Sequence, residues 1–179
     1  MKYLLLFEKF INSPYITSNS NVIDPLIDFN DHLIQNDKNV QYITNYLNRH
    51  GYLKSRRYND SLIKLYHGTS PKIPILEQGI KTTKRSTSHS FQVENGYTYF
   101  SIYPDMSKTF GDIGFGINNS VIYECLIPVS KIKPDKDQLI NCKIHNPDVG
   151  NSIGDSIIYG HGVRVKGDIP PYMIKIYKK

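Results

Sequence analysis

Cysteine is scarce in this chain of 179 residues, which contains two, Cys125 and Cys142, and tryptophan is absent. Two cysteines are too few for the disulfide framework of a small secreted domain and are typical of a reducing compartment. Cys142 and His145 have a spacing that can hold zinc, with Cys125 as a third ligand, but the sequence shows no fourth ligand. We therefore expect no metal site.

Long hydrophobic runs are also absent. Residues 3–7 are apolar, but Glu8 and Lys9 interrupt them at once. Such a run is too short for the core of a signal peptide and far too short to cross a bilayer. We expect a soluble, cytoplasmic protein without membrane association, located in the host cytoplasm if a phage encodes it.

Acidic residues are outnumbered by basic ones, with 16 Asp and Glu against 22 Lys and Arg and a formal net charge of +6. The basic residues are scattered, and the densest short runs lie at 54–57, 81–85 and 178–179. This excess suits a nucleic acid, an acidic protein or the pyrophosphate of a dinucleotide. It is equally typical of a solvated surface rich in lysine.

The spacing of apolar residues changes near residue 61. Before it, helical spacing predicts helices over 2–11, over 25–35, and from Asp37 as N-cap to Gly51. After it, short apolar runs between turn residues predict strands at 61–67, 97–102, 121–127, 156–159, 162–165 and 173–177, with short helices at 73–78 and 104–110. We therefore expect an α+β fold built on a mostly antiparallel sheet over residues 61–179, with a helical N-terminal region over 1–60.

The first motif is Leu-Tyr-His-Gly-Thr-Ser at 65–70, at the end of a predicted strand. His67 can donate a hydrogen bond from one ring nitrogen and accept one at the other, which suits a ribose hydroxyl. Gly68 lets a ligand approach the main chain, whose amide and carbonyl can pair with a carboxamide. Thr69 or Ser70 adds a hydroxyl. The alternative is a histidine whose hydrogen bonds are satisfied within a turn.

The second motif is Gly-Tyr-Thr-Tyr-Phe-Ser at 96–101, followed by a short predicted helix. The ring of Tyr99 can stack on a planar ligand ring, and Phe110 can close the other side. Phe100 alternates to the opposite face of the strand and is expected in the core. The alternative is an ordinary tyrosine-rich strand, because the chain contains 14 tyrosines.

Together the two motifs resemble the His-Tyr branch of the ADP-ribosyltransferases, which includes poly(ADP-ribose) polymerases and diphtheria-toxin-like enzymes. The resemblance implies a split, mostly antiparallel sheet with short helices, in which His67 and Tyr99 grip NAD from neighbouring strands. It also implies NAD contacts from Gly68 and from Ser101 or Ser107, with Phe110 as a wall of the nicotinamide pocket. The hydroxyl of Thr69 is expected at the same pocket as a further NAD contact. NAD is then a substrate, and the acceptor is a protein or a nucleic acid.

A glutamate that this family places at the start of a late strand is missing. The corresponding segment, 158–171, has His161 and Gly162 at that place. In the family this carboxylate orients a ribose hydroxyl and stabilises an oxocarbenium-like transition state, as carboxylates do in glycoside hydrolysis. His161 is the candidate to act there as a general base. Asp155 and Glu124 are the nearest acids in sequence, and Asp155 is expected to cap a helix or a turn.

These features predict a NAD-dependent mono-ADP-ribosyltransferase with His67, Tyr99 and His161 as catalytic residues. One alternative is a catalytically silent domain of the same fold that binds NAD, ADP-ribose or a nucleic acid, which the missing glutamate supports. Another is an enzyme similar to RNA 2′-phosphotransferases, which share the fold and a His-Gly-Thr segment but carry a histidine where Tyr99 stands. A toxin, a phage effector and a regulatory transferase would share all of these features.

Overall fold

A computed structural model gives the structure of the protein and describes residues 21–51, 61–82 and 96–178. The described residues form a 7-stranded sheet in the order β5-β6-β3-β2-β4-β7, with β1 paired to β2 outside this path. The described ladders are antiparallel except for that of β1 with β2. The strands are β1 (Val22–Ile23), β2 (Leu62–Thr69), β3 (Tyr97–Ser101), β4 (Val121–Pro128), β5 (Ile132–Pro134), β6 (Gly162–Lys166) and β7 (Ile174–Ile176). The expected α+β fold with a mostly antiparallel sheet is confirmed.

Six α-helices accompany the sheet within the described residues: α1 (Pro25–Asp28), α2 (Asp37–Gly51), α3 (Ile75–Gln78), α4 (Pro104–Phe115), α5 (Lys136–His145) and α6 (Ile153–Ile158). The predicted helix over 25–35 is shorter than expected, because a 3₁₀ turn at Asn30–His32 follows α1. The cap of α2 is Asn36 and not Asp37, since Asn36 Oδ1 accepts a hydrogen bond of 2.9 Å from the Asn39 amide. The helix predicted over 2–11 and the basic residues at 54–57, 83–85 and 179 lie outside the described residues.

The strand predicted at 156–159 is wrong, because these residues belong mostly to α6. A capping box begins this helix: Ser152 Oγ accepts from the Asp155 amide at 3.1 Å, and Asp155 Oδ2 accepts from the Ser152 amide at 2.8 Å. Ile157 and Ile158 are both buried, and a short run buried on all sides has no periodicity that separates helix from strand. The expected role of Asp155 as a cap is confirmed.

The N-terminal region shares its core with the sheet. Ile43 and Leu47 of α2 are buried in the same hydrophobic cluster as Ile157 of α6 and Val163 of β6. Each such fully buried aliphatic side chain contributes about 1.5–3 kcal/mol of transfer free energy. None of the described helices is both long enough and apolar enough to cross a membrane.

The sheet splits between β2 and β3. Strand β2 pairs with β4 without interruption, from Leu62 opposite Pro128 to Thr69 opposite Val121. Its described ladder with β3 consists of a single pair, Tyr66 opposite Ser101. Because β3 pairs with β6 over its whole length, the two halves of the sheet separate beside the end of β2 that carries His67.

Candidate functional site

The main-chain groups of Gly68 point into this split. The Leu62 amide donates to the Asn21 carbonyl at 3.0 Å on the β1 side of β2, and the Ser61 carbonyl accepts from the Val129 amide at 2.9 Å on the β4 side. Along a strand, these groups point to alternate sides, and the unbroken register with β4 keeps that alternation. The amide and carbonyl of Gly68 therefore face β3, where the described ladder contains no Gly68 pair.

Tyr99 faces the split from the other side. The Ile102 amide donates to the His161 carbonyl at 3.1 Å, on the β6 side of β3, so alternation directs the Tyr99 carbonyl toward β2. That oxygen lies 3.0 Å from Nδ1 of His67. A carbonyl can only accept, so Nδ1 carries the proton and Nε2 is the acceptor of a neutral ring. The side chain of His67 thus replaces a main-chain donor across the split.

The side chains of His67 and Tyr99 lie on opposite faces of the sheet. The His67 ring packs beside Phe100, with ring centroids 5.4 Å apart. The Tyr99 hydroxyl donates a hydrogen bond of 2.7 Å to Asp137 Oδ2 in the first turn of α5. The structure therefore brings His67 to the main chain of Tyr99 and not to its ring.

Helix α4 crosses Gly68 at close range. A Cβ atom on Gly68 would lie 1.9 Å from the carbonyl oxygen of Ser107, so the absence of a side chain allows this approach. The hydroxyl of Ser107 is itself buried and has no hydrogen-bond partner among the described residues. Phe110 follows on the same helix and is 39% exposed. The expected NAD contacts Ser107 and Gly68 are therefore neighbours.

His161 immediately precedes β6, at the place where the family glutamate was expected. Its φ of 55° lies in the left-handed region, which few non-glycine residues adopt. Its Nδ1 is buried without a hydrogen-bond partner in the part of the chain that the structure describes, and its ring meets Tyr103 edge to face at 5.4 Å. Strained backbone and unpaired buried polar atoms are concentrated at functional sites.

Among the other hydroxyl residues of the two motifs, Ser101 and Ser70 form hydrogen bonds with main-chain groups around the site. Ser101 Oγ donates to the His161 carbonyl at 2.9 Å and accepts from the Tyr103 amide at 2.9 Å, which ties β3 to the start of β6. Thr69 is buried at the end of β2. Ser70 Oγ accepts from the Lys72 amide at 3.3 Å and closes the following turn.

Asp137 is the residue of the site that sequence reasoning missed. Glu124 forms an ion pair of 2.9 Å with Lys175, and both carboxylate oxygens of Asp155 accept main-chain hydrogen bonds in and before the α6 cap. Asp137 instead bonds a motif side chain, Tyr99. The residue before α5, Asp135, is a capping type that could have predicted the helix, but nothing local predicts a contact between residues 38 positions apart.

The two cysteines and His145, whose spacing was considered for zinc, do not form a group that could hold a metal ion. Cys125 is buried in β4, where burial raises the pKa of its thiol. Cys142 Sγ donates to the Tyr159 carbonyl at 3.4 Å. Within residues 21–51, 61–82 and 96–178, no three His, Cys, Asp or Glu residues form a group that could hold a metal ion.

Both histidines of the site favour their neutral form. Burial lowers the pKa of His67 below its ordinary value, and the hydrogen bond to Tyr99 offsets this only in part. Burial likewise lowers the pKa of His161 below its ordinary value. A neutral His67 keeps Nε2 available as an acceptor.

No family model, no curated protein and no solved structure matches this chain. Its function is therefore inferred from the groups that the split brings together.

We expect stability to fall as the pH drops below about 6.5. Unfolded histidine takes up a proton near that pH, whereas folded His67 and His161 resist protonation until a lower pH. The unfolded state then binds more protons, so the free energy of unfolding decreases as the pH falls, by about 1.4 kcal/mol in total per unit of pKa difference. This contribution is complete above pH 6.5 or so and is lost toward the folded-state pKa.

Urea unfolding between about pH 7.5 and about pH 5.5 measures this dependence. His67→Asn is the informative variant, because its amide nitrogen can still donate to the Tyr99 carbonyl but cannot take up a proton. Its slope should be smaller than that of the wild type. If His67→Asn and His161→Asn both keep the wild-type slope, the two histidines are not the groups whose pKa is lowered by folding.

Proposed function

We propose that the protein is a NAD-dependent mono-ADP-ribosyltransferase that cleaves the bond between nicotinamide and ribose and transfers ADP-ribose to a protein or nucleic-acid acceptor. One observation carries the proposal. At the split between β2 and β3, the main-chain edge of Gly68 lies outside the described β2–β3 ladder, beside a neutral His67 whose Nδ1 is held by the Tyr99 carbonyl.

A carboxamide can pair with the main-chain amide and carbonyl of Gly68 as a residue of a neighbouring strand would. It presents an N–H donor and a carbonyl acceptor side by side, which complement the carbonyl and amide of a single residue. Each such hydrogen bond contributes about 0.5–1.5 kcal/mol net. Ser107 of α4, whose carbonyl lies against Gly68, adds a buried hydroxyl as a further polar group.

The ring of Tyr99 lies on the face of the sheet where a bound nicotinamide would need it. Tyr66 stands opposite Ser101, so Gly68 falls opposite Tyr99, and residues directly opposite point to the same face. That is also the face on which α4 approaches Gly68. Tyr99 and Phe110 can therefore flank a ring whose carboxamide is bound to Gly68.

In the proposed reaction, the bond between C1′ of the ribose and nicotinamide breaks, and nicotinamide leaves with the electron pair. The resulting oxocarbenium-like centre is attacked by a nucleophile of the acceptor, whose proton passes to a base, for which His161 is the candidate. Nε2 of His67 accepts a hydrogen bond from a ribose hydroxyl and keeps the sugar oriented. The protein contributes positioning and charge stabilisation.

A second candidate is a silent binding domain that holds NAD or ADP-ribose without cleaving it. It is favoured by the structural use of the two acids nearest in sequence, because Asp155 caps α6 and Glu124 pairs with Lys175. Loss of one preorganised electrostatic group costs about 10²–10³ in rate. Binding without turnover would distinguish this candidate from the enzyme.

Incubation of the purified protein with NAD, followed by chromatography of released nicotinamide, tests the proposal. Wild-type protein with and without cell extract is compared with a His67→Ala, Tyr99→Ala double variant. A matched control replaces the exposed His145 and the exposed Tyr42 with alanine. Release lost only in the first variant supports the enzyme, whereas calorimetric NAD binding without release supports the silent domain. Neither binding nor release would refute both.

A further inference from the structure

We propose that Asp137 is a positioning residue of this site, and that its carboxylate orients the Tyr99 ring and makes it favour the cationic nicotinamide of oxidised NAD over the neutral ring of NADH. The inference rests on the proposed function and specifies its substrate preference.

The contact itself is a short hydrogen bond to a charged acceptor. The Tyr99 hydroxyl donates to Asp137 Oδ2 at 2.7 Å, and both side chains are half-buried. Bonds of this kind are shorter and stronger than those between neutral partners. The hydrogen bond therefore favours one orientation of the phenol ring, on the face of the sheet that also carries Gly68.

Asp137 is fixed relative to the strand that carries Tyr99. Asp135 caps α5, since its Oδ1 accepts from the Gln138 amide at 3.1 Å. The Asp135 amide donates to Ser156 Oγ at 2.7 Å, and that hydroxyl donates to the Gly162 carbonyl at 2.6 Å. Because β6 begins at Gly162 and pairs with β3, the first turn of α5 and Tyr99 belong to one hydrogen-bonded frame.

The charge of Asp137 acts on the ligand through the ring. A carboxylate that accepts from a phenol polarises the O–H bond and increases the electron density of the aromatic face. The nicotinamide ring of NAD⁺ is a pyridinium cation, and cations are attracted to electron-rich aromatic faces. The dihydropyridine of NADH is neutral and lacks this attraction, so the pair should discriminate between the two oxidation states.

Calorimetric titration of NAD⁺ and NADH into wild type, Asp137→Asn, Asp137→Ala and Tyr99→Phe tests the inference. We expect Asp137→Asn, which keeps an acceptor but loses the charge, to weaken NAD⁺ binding about threefold to thirtyfold and to change NADH binding much less. The Tyr99→Phe, Asp137→Ala double variant should bind NAD⁺ no more weakly than the weaker-binding of the two single variants. Both changes break the same contact, so their losses should not add. Asp105→Asn, in the exposed first turn of α4, is the matched control.

The outcomes separate the two proposals. If the wild type binds NAD⁺ and Asp137→Asn has the same ratio of NAD⁺ to NADH affinity, the role of Asp137 is overturned and the proposed function is not. Additive losses in the double variant also overturn it, because they would mean that Asp137 does not act through Tyr99. Wild-type protein that binds neither nucleotide refutes the proposed function and this inference with it.

Discussion

Replacing His67 with alanine is expected to lower the rate of nicotinamide release by about 100-fold or more. The variant loses the donor that holds the Tyr99 carbonyl at 3.0 Å, so the width of the split is no longer fixed. It also loses Nε2, the proposed acceptor for a ribose hydroxyl. Misplacement of a substrate by about 1 Å is enough for a loss of this size. Single-turnover measurement of nicotinamide release checks the expectation.

Two amide variants separate these two roles of His67. The nitrogen of asparagine reaches the position of Nδ1, so His67→Asn should keep the melting temperature close to that of the wild type while losing most turnover. Glutamine reaches toward the position of Nε2 but lacks the Nδ1 donor, so His67→Gln should be less stable yet more active than His67→Asn. Wild-type turnover in His67→Asn would show that Nε2 takes no part.

Replacing Gly68 with alanine is expected to cost on the order of 3 kcal/mol of unfolding free energy, at the upper end of the range for overpacked sites. The added Cβ would lie 1.9 Å from the Ser107 carbonyl oxygen and 2.7 Å from its carbon. Both atoms are main chain in α4, so no side-chain rotation can relieve the clash. Thermal denaturation should show a fall of about 6–12 °C for a protein of this size.

Gly114→Ala in α4, the helix that Gly68 contacts, is the control for Gly68→Ala. Beyond the nearby backbone of α4 itself, no atom of the described residues lies within 4 Å of a Cβ built at Gly114, and alanine favours helix over glycine by about 0.5–1 kcal/mol. This variant should therefore be slightly more stable than the wild type. If Gly68→Ala melts at the wild-type temperature, α4 does not lie against β2 as described.

Strands that form short apolar runs between turn residues could be predicted from the sequence. The apolar pattern predicted β2, β3, β4 and β6 to within two residues at either end, because turn residues bound each run. Helix α6 was assigned wrongly, although Ser152 and Asp155 have the spacing of a capping box. Strand β5 and helix α5 were missed, because three strand residues and a helix with few buried side chains give little periodic signal.

For the site, sequence reasoning identified His67 and Tyr99 as neighbours but not how they meet. The contact of the His67 ring with a main-chain carbonyl depends on where the β2–β3 ladder stops, and register is not encoded in either motif. Asp137 comes from a third element, so only the folded chain brings it to Tyr99.

The edge of Gly68 also bears on how such a site changes over evolution. Peptide groups are the same whichever side chains surround them, so a pocket that recognises its ligand through one glycine amide and carbonyl keeps that recognition while neighbouring residues are exchanged. Mutational drift can then erase most of a family's sequence pattern before it reaches the main-chain geometry.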